Sequence, residues 1–387
     1  MDRLNWIEKQ RQSGNFRQLT PVKRMPDGTL QLAGDTEKAV LHDFSSNDYL
    51  ALSLHPDLIA ASRKYLEMAG AGAGAARLMS GDLTVYHELE KKIAELKGQE
   101  AALLFGSGYL ANCGIIPALL GRQDVVFCDR LNHASIYDGC RLSRARLVRF
   151  HHNDLNHLED MLKSRRGKGE ALIVVESIYS MDGDRSPLKE LVSLKEKYGC
   201  LLMVDEAHAT GLFGPNGGGV IEEEGLSSHV DLAMGTFGKA LGSYGAYVAA
   251  SGSMIDFLVN RARSFIYSTA LPPAVVGASL AAIKIIQKQP ELRQKLFAKV
   301  DLFKSILRQG GLDGLGSSQI VPVLIGESST AVYLAEKLRR KNIFATAVRP
   351  PTVPEGTARL RFSITLHHKD DVLKQTAATL LEILEKG

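Results

Sequence analysis

Five short runs of apolar, mostly branched residues end abruptly in polar or glycine positions: 101–105 (AALLF), 125–128 (VVFC), 172–175 (LIVV), 201–204 (LLMV) and 231–234 (DLAM). Their apolar residues are consecutive rather than alternate, the pattern of strands covered on both faces. Helical spacing fills the gaps. In 86–97, Leu89, Ile93 and Leu96 recur at i, i+4 and i+7 with charges at most of the other positions. Strands alternating with helices predict an α/β fold built on a mostly parallel sheet. From about residue 290 the texture changes to charged amphipathic segments (ELRQKLFAKVDLFKSIL, YLAEKLRRK) with strand-like pieces at 320–325 and 359–364. The expected organisation is an N-terminal arm and hairpin around Pro26-Asp27-Gly28 (1–45), a large α/β domain (46–288) and a smaller C-terminal α+β domain (289–387).

Ligands of a parallel sheet bind beyond the carboxyl ends of its strands, so the residues just after each run are the candidates for chemistry. After 101–105 comes Gly106-Ser107-Gly108-Tyr109 and then a helical stretch, a turn whose free backbone N–H groups suit a phosphate. The second run leads to Asn132-His133-Ala134-Ser135. The third leads to Glu176-Ser177-Ile178-Tyr179-Ser180-Met181-Asp182-Gly183-Asp184, which by itself is a turn rich in Asp and Gly. The fourth runs into Asp205-Glu206-Ala207-His208. That tetrapeptide also marks a class of helicases, a reading that requires a G-x-x-x-x-G-K-[ST] phosphate loop. The nearest match, Gly235 to Ala240, has too few residues between its glycines, places alanine where a magnesium-binding hydroxyl is needed, and follows the acid instead of preceding it. The helicase reading fails.

The fifth run ends in Gly235-Thr236-Phe237-Gly238-Lys239-Ala240-Leu241-Gly242. A lysine among small residues leaves room for a flat ligand, and desolvation there makes its amine a nucleophile for an aldehyde. An anion cradle, an imidazole, a strand-end acid and an amine at the ends of strands in one sheet match the needs of pyridoxal phosphate.

Composition narrows the setting. The 387 residues are 45% apolar and 23% charged, and 47 basic against 43 acidic side chains leave a net charge of +4, too small a surplus to argue for nucleic acid. The densest basic stretches, 141–149 (RLSRARLVR) and 163–168 (KSRRGK), read as solvated faces or as a landing site for an anionic substrate tail. Cysteines at 113, 128, 140 and 200 form no CxxC, suggest no metal site and fit free thiols of a reducing compartment. The charged start MDRLNWIEKQRQ has no apolar core of a signal peptide. The longest apolar stretch, 274–286, is interrupted by Lys284 and falls short of the ~20 residues of a membrane span. A cytoplasmic, soluble protein with no membrane partner is expected.

The chain resembles, nearly end to end, the α-oxoamine synthases among the fold type I pyridoxal-phosphate enzymes. Eight stretches carry the likeness in the family's order: FSSNDYL (44–50), GSGYLAN (106–112), LNHAS (131–135), SMDGD (180–184), VDEAHATG (204–211), TFGKALG (236–242), IYSTALPP (266–273) and RPPTVPEGTARLR (349–361). The resemblance implies that Lys239 is the Schiff-base lysine and Cα base, that Asp205 holds the pyridine nitrogen protonated and that His133 stacks on the ring. It implies that His208 and Ser180 lie about the ring hydroxyl, and that Gly108, Tyr109 and Thr236 seat the cofactor and its phosphate. Ser268 and Thr269 match a segment that reaches the phosphate from the neighbouring subunit, which implies a homodimer with its active site at the subunit interface. Arg349 and Asn47 match the grip on the amino-acid carboxylate, while Arg17 and Thr352 match positions that contact substrate or product.

The implied reaction is a decarboxylative Claisen-type condensation of an amino acid with an acyl thioester. The doubled proline of RPPTVPEGTARLR favours L-alanine and a pimeloyl group on coenzyme A or acyl-carrier protein. Members that use glycine or serine are the alternative, and Ala75-Ala76, where many members have Gly followed by Ser or Thr, keeps that alternative open. A non-catalytic protein on the same fold would be expected to lack the lysine, yet Lys239, Asp205 and His133 are all present.

Overall fold

All five apolar runs are strands of one seven-stranded sheet in the computed structural model of the protein, which describes residues 2–13, 15–34 and 39–385. The strands are β1 (Ala101–Phe105), β2 (Val125–Asp129), β3 (Arg146–Phe150), β4 (Ala171–Glu176), β5 (Leu201–Asp205), β6 (Leu232–Thr236) and β7 (Ala246–Ala250). Their order is β1-β7-β6-β5-β4-β2-β3. Strands β2 to β6 pair in parallel, and β7 alone runs antiparallel to both its neighbours. The sheet is therefore mostly parallel, as the alternation predicts.

Two of these strands escape the hydrophobic pattern. β3 is an edge strand with Arg146 and Arg149 exposed and Val148 and Phe150 buried, so its charges merge with the basic stretch before it. In that stretch the helix Ala134–Ser143 ends, the chain turns at Arg144 in the left-handed region (φ 61°), and the edge strand begins. β7 is buried throughout but reads AYVAA, and alanine carries little strand signal.

Contacts divide the chain into two units. One comprises Met1–Ala51, Ser180–Asp184 and Gln294–Gly387; the other comprises Leu52–Tyr179 and Arg185–Arg293 and contains the large sheet. In the larger unit Ile115, Ile116, Val126, Ile136, Val174 and Val248 are fully buried in one core cluster. The helices Gly108–Leu119 and Ala134–Ser143 pack against each other there, and the approach is close because residue 139 is glycine. A Cβ at that position would lie 2.5 Å from the carbonyl oxygen of Asn112.

The smaller unit holds an antiparallel sheet of β8 (Ile320–Gly326), β9 (Thr346–Val348) and β10 (Ala358–Ser363), ordered β8-β10-β9. The N-terminal hairpin pairs Val22–Arg24 with Leu30–Leu32, and Asp27 accepts hydrogen bonds from both the backbone and the hydroxyl of Thr29. Among the described residues no helix is long and apolar enough to cross a membrane.

His368 belongs to this unit's core. Its ring stacks on Phe44 with centroids 4.0 Å apart, Nδ1 accepts from Thr365 N at 3.1 Å, and Nε2 donates to the Asp43 carbonyl at 3.1 Å. Burial pushes its pKa from 6.5 down to about 3. Between those values the unfolded chain binds a proton that the folded one refuses, so stability falls as pH drops below 6.5. The limiting slope is ~1.4 kcal/mol per pH unit. Urea unfolding followed between pH 7 and 5 should show this loss. A His368→Phe variant, weaker at pH 7, should lose less on acidification by about one proton's worth of slope.

Candidate active site

The carboxyl ends of the parallel strands and the start of the helix Gly108–Leu119 meet at a cavity of about 190 Å³. Gly108 opens the helix after β1, which Ser107 caps by accepting from Leu110 N at 3.2 Å. His133 follows β2 and caps the helix Ala134–Ser143 through Nδ1. Asp205 is the last residue of β5 and Thr236 the last of β6. Gly108, Tyr109, His133, Asp205, His208, Thr236 and Lys239 all line this cavity. Asn112, Ser135 and Glu176, to which the sequence assigns no role, line it too. Asn112 is the one amide in an otherwise apolar helix, while Ser135 and Glu176 stand in the segments that follow the second and third apolar runs.

The polar contacts are specific. Lys239 Nζ lies 2.9 Å from His208 Nε2. Asp205 is 5% exposed; Oδ1 accepts from Ala207 N at 2.9 Å and Oδ2 from Asn112 Nδ2 at 3.2 Å. Burial lowers the pKa of His133; the Asp205 charge opposes that shift and Lys239 adds to it. Tyr109 donates to Asp138 Oδ2 at 2.7 Å, and that bond raises its phenol to about 12. Behind the site, the buried Lys97 ammonium pairs with Glu206 at 2.8 Å and donates to Thr210 Oγ1 at 3.0 Å, tying down the loop that follows Asp205.

The turn carrying Lys239 is pinned on both sides. Thr236 Oγ1 donates to Gly245 O at 2.8 Å and accepts from Gly238 N at 3.1 Å, and Phe237 and Leu241 are fully buried. Gly242 stands at φ 61°, and any Cβ there would strike the backbone of Leu52 and Ser53.

The other predicted residues are not among those that line this cavity. Ser268 and Thr269 line a small recess with Arg77 and Gly106, and Thr269 forms an antiparallel bridge with Ala76. Ser180 belongs to the smaller unit, where its carbonyl accepts from Arg361 Nε at 2.7 Å. Arg17, Asn47, Arg349 and Thr352 are in that unit too. Arg17 Nη2 donates to Thr352 Oγ1 at 3.0 Å, and Thr352 N donates to Arg349 O. Burial, and after it the charge of Arg17, lowers the Arg349 pKa. Asn47 Oδ1 accepts from Tyr49 at 3.0 Å and from Arg361 at 3.2 Å.

An amine, a buried carboxylate, an imidazole of lowered pKa and a helix N-terminus on one cavity form a donor set that fits pyridoxal phosphate. Known proteins agree with this fit. Residues 40–380 match the family described as aminotransferase class I and II. An 8-amino-7-oxononanoate synthase from Geobacter sulfurreducens is 48% identical over 381 residues, 97% of this chain and 96% of that one. Another from Citrifermentans bemidjiense is 47% identical, covering 98% and 97%. Among solved structures, a serine palmitoyltransferase from S. paucimobilis with a bound PLP–myriocin aldimine has a TM-score of 0.92 at 30% identity, covering 99% of this chain and 96% of that one. An 8-amino-7-oxononanoate synthase from Francisella tularensis has a TM-score of 0.79 at 28% identity, covering 89% and 98%. The chain belongs to the pyridoxal-phosphate-dependent fold type I transferases, in the branch of the 8-amino-7-oxononanoate synthases.

Proposed function

We propose that this enzyme condenses L-alanine with a pimeloyl thioester, carried on coenzyme A or acyl-carrier protein, to give 8-amino-7-oxononanoate, carbon dioxide and the free thiol. In that reaction a bond forms between the alanine Cα and the acyl carbon, the C–S bond breaks, and the alanine carboxylate leaves as carbon dioxide. The observation that carries the reading is the meeting of Lys239, Asp205 and His133 on one cavity, in a chain nearly half identical to relatives named for that product.

Bound pyridoxal phosphate supplies the electron sink that makes the Cα–H bond of an amino acid acidic. Lys239 Nζ would hold the cofactor's aldehyde carbon and would accept the Cα proton. Asp205 keeps a positive charge on the ring nitrogen, an electrostatic contribution set in place before reaction. His133 would cover one face of the ring, and His208 and Ser180 would serve the ring hydroxyl and its surroundings. Gly108, Tyr109 and Thr236 seat the phosphate. Arg349 and Asn47 hold the amino-acid carboxylate, a task for which a guanidinium fork is suited. Arg17 and Thr352 contact substrate or product.

Ser268 and Thr269 are assigned to the phosphate of a second copy, which makes the functional unit a homodimer. Supporting this, large apolar side chains stand exposed on and beside the two bridged segments: Leu78 at 52%, Met79 at 78% and Tyr267 at 71%.

The test is turnover of pimeloyl-coenzyme A by cofactor-loaded protein with L-alanine, glycine or L-serine, followed by carbon dioxide release and product mass. Alanine-dependent 8-amino-7-oxononanoate is the expected result. Turnover with glycine or serine alone would move the chain to a sister reaction, with Ala75-Ala76 the first residues to exchange.

A further inference from the structure

Asn112 and Ser135 line the cavity without a part in the roles above. Asn112 is 1% exposed, and its Nδ2 donates both to Asp205 Oδ2 at 3.2 Å and to Ser135 Oγ at 2.9 Å. Ser135, also 1% exposed, lies 2.8 Å from His133 Nδ1 through its hydroxyl and 3.3 Å through its backbone N–H. Asp205, Asn112, Ser135 and His133 thus form one hydrogen-bonded chain along the wall of the cavity. Residue 139 makes the chain possible, since only glycine lets the helix bearing Ser135 approach the backbone of Asn112 so closely.

Proton positions along this chain follow from groups that can act in only one way. An ionised carboxylate only accepts, so the Asn112 atom facing Asp205 must be the NH₂. The same NH₂ donates to Ser135 Oγ, which leaves the hydroxyl proton free to point elsewhere. Its remaining neighbour in this chain is His133 Nδ1. The backbone N–H of Ser135 is an obligatory donor aimed at the same nitrogen. Two donors on Nδ1 require a lone pair there. Turning the amide over would set its oxygen against the Asp205 carboxylate. As placed, Asn112 Oδ1 is buried without a partner, a smaller cost than an orphaned donor.

We infer that Asn112 and Ser135 are positioning residues that hold His133 in its neutral Nε2–H tautomer. The imidazole therefore offers the cavity a hydrogen-bond donor instead of a lone pair. Burial of the ring, which lowers its pKa, favours the neutral state on which this arrangement depends. The consequence for catalysis rests on the proposed function; the tautomer itself does not, and it can be read without cofactor or substrate.

The experiment is nitrogen NMR of the full-length apoprotein with labelled histidine, the His133 signals being assigned by their loss in His133→Asn. Wild type should show Nδ1 as unprotonated and Nε2 as protonated, with no second tautomer. Ser135→Ala should let a second tautomer appear at roughly a tenth of the population or more, and Ser135→Thr, which keeps the hydroxyl, should restore the wild-type pattern. A wild-type His133 protonated at Nδ1, or already a mixture, would overturn the inference. So would a Ser135→Ala spectrum identical to wild type. Neither result depends on whether alanine is the substrate.

Discussion

Replacing Lys239 with alanine is expected to lower turnover by at least ~10³–10⁴-fold, because one side chain both holds the cofactor and moves the Cα proton. The turn itself should survive. Its anchors are the Thr236 hydroxyl bonds to Gly245 and Gly238 and the buried Phe237 and Leu241, none of which involves the lysine amine. What disappears is Nζ, with its contact to His208 at 2.9 Å. The measurement pairs carbon dioxide release from alanine and pimeloyl-coenzyme A with borohydride trapping of the cofactor. Wild type should gain the reduced cofactor's mass on the peptide bearing Lys239, and Lys239→Ala should gain none while unfolding in urea at the wild-type midpoint. Undiminished turnover in the variant would remove Lys239 from the mechanism.

The second large effect is expected from Asp205→Asn. This change keeps the side chain's shape and removes only its charge, so a preorganised electrostatic contribution of about 10²–10³-fold in kcat should be lost. Stability should move the other way or stay level. A charge taken out of water costs folding free energy, so exchanging the buried Asp205 carboxylate, which accepts from Ala207 N and Asn112 Nδ2, for a neutral amide of the same size relieves that cost. An apoprotein variant with an unchanged or raised unfolding midpoint, weaker cofactor binding and a kcat lowered far more than KM rises is the predicted pattern. A large fall in stability at full kcat would make Asp205 a structural acid.

How much of this could be read from the chain depends on how local each signal is. The strands that carry the site are apolar on consecutive positions because both faces of a parallel sheet are covered, and that pattern needs no tertiary knowledge. Polar residues placed directly after such runs stand at the strands' carboxyl ends, which is why His133, Asp205, Thr236 and Lys239 could be nominated together. The edge strand Arg146–Phe150 was illegible for the opposite reason, since half of it faces water and its arginines look like those of the preceding helix. Ala246–Ala250 hid in a composition that favours no state.

The sequence by itself thus determined the α/β alternation, the set of strand-end groups and the cofactor they suit, because these follow from nearest-neighbour pattern and side-chain chemistry. Only the tertiary structure decided which groups touch. Asn112, Ser135, Asp205 and His133 are separated by as many as 93 positions, and they meet because a glycine at 139 brings two helices together and β5 ends beside them. Tertiary structure also took Ser180 into the unit that holds Arg361, whose Nε donates to its carbonyl. Hydrogen bonds between distant positions leave no periodic trace along a chain, so the proton arrangement at His133 exists only once the chain is folded.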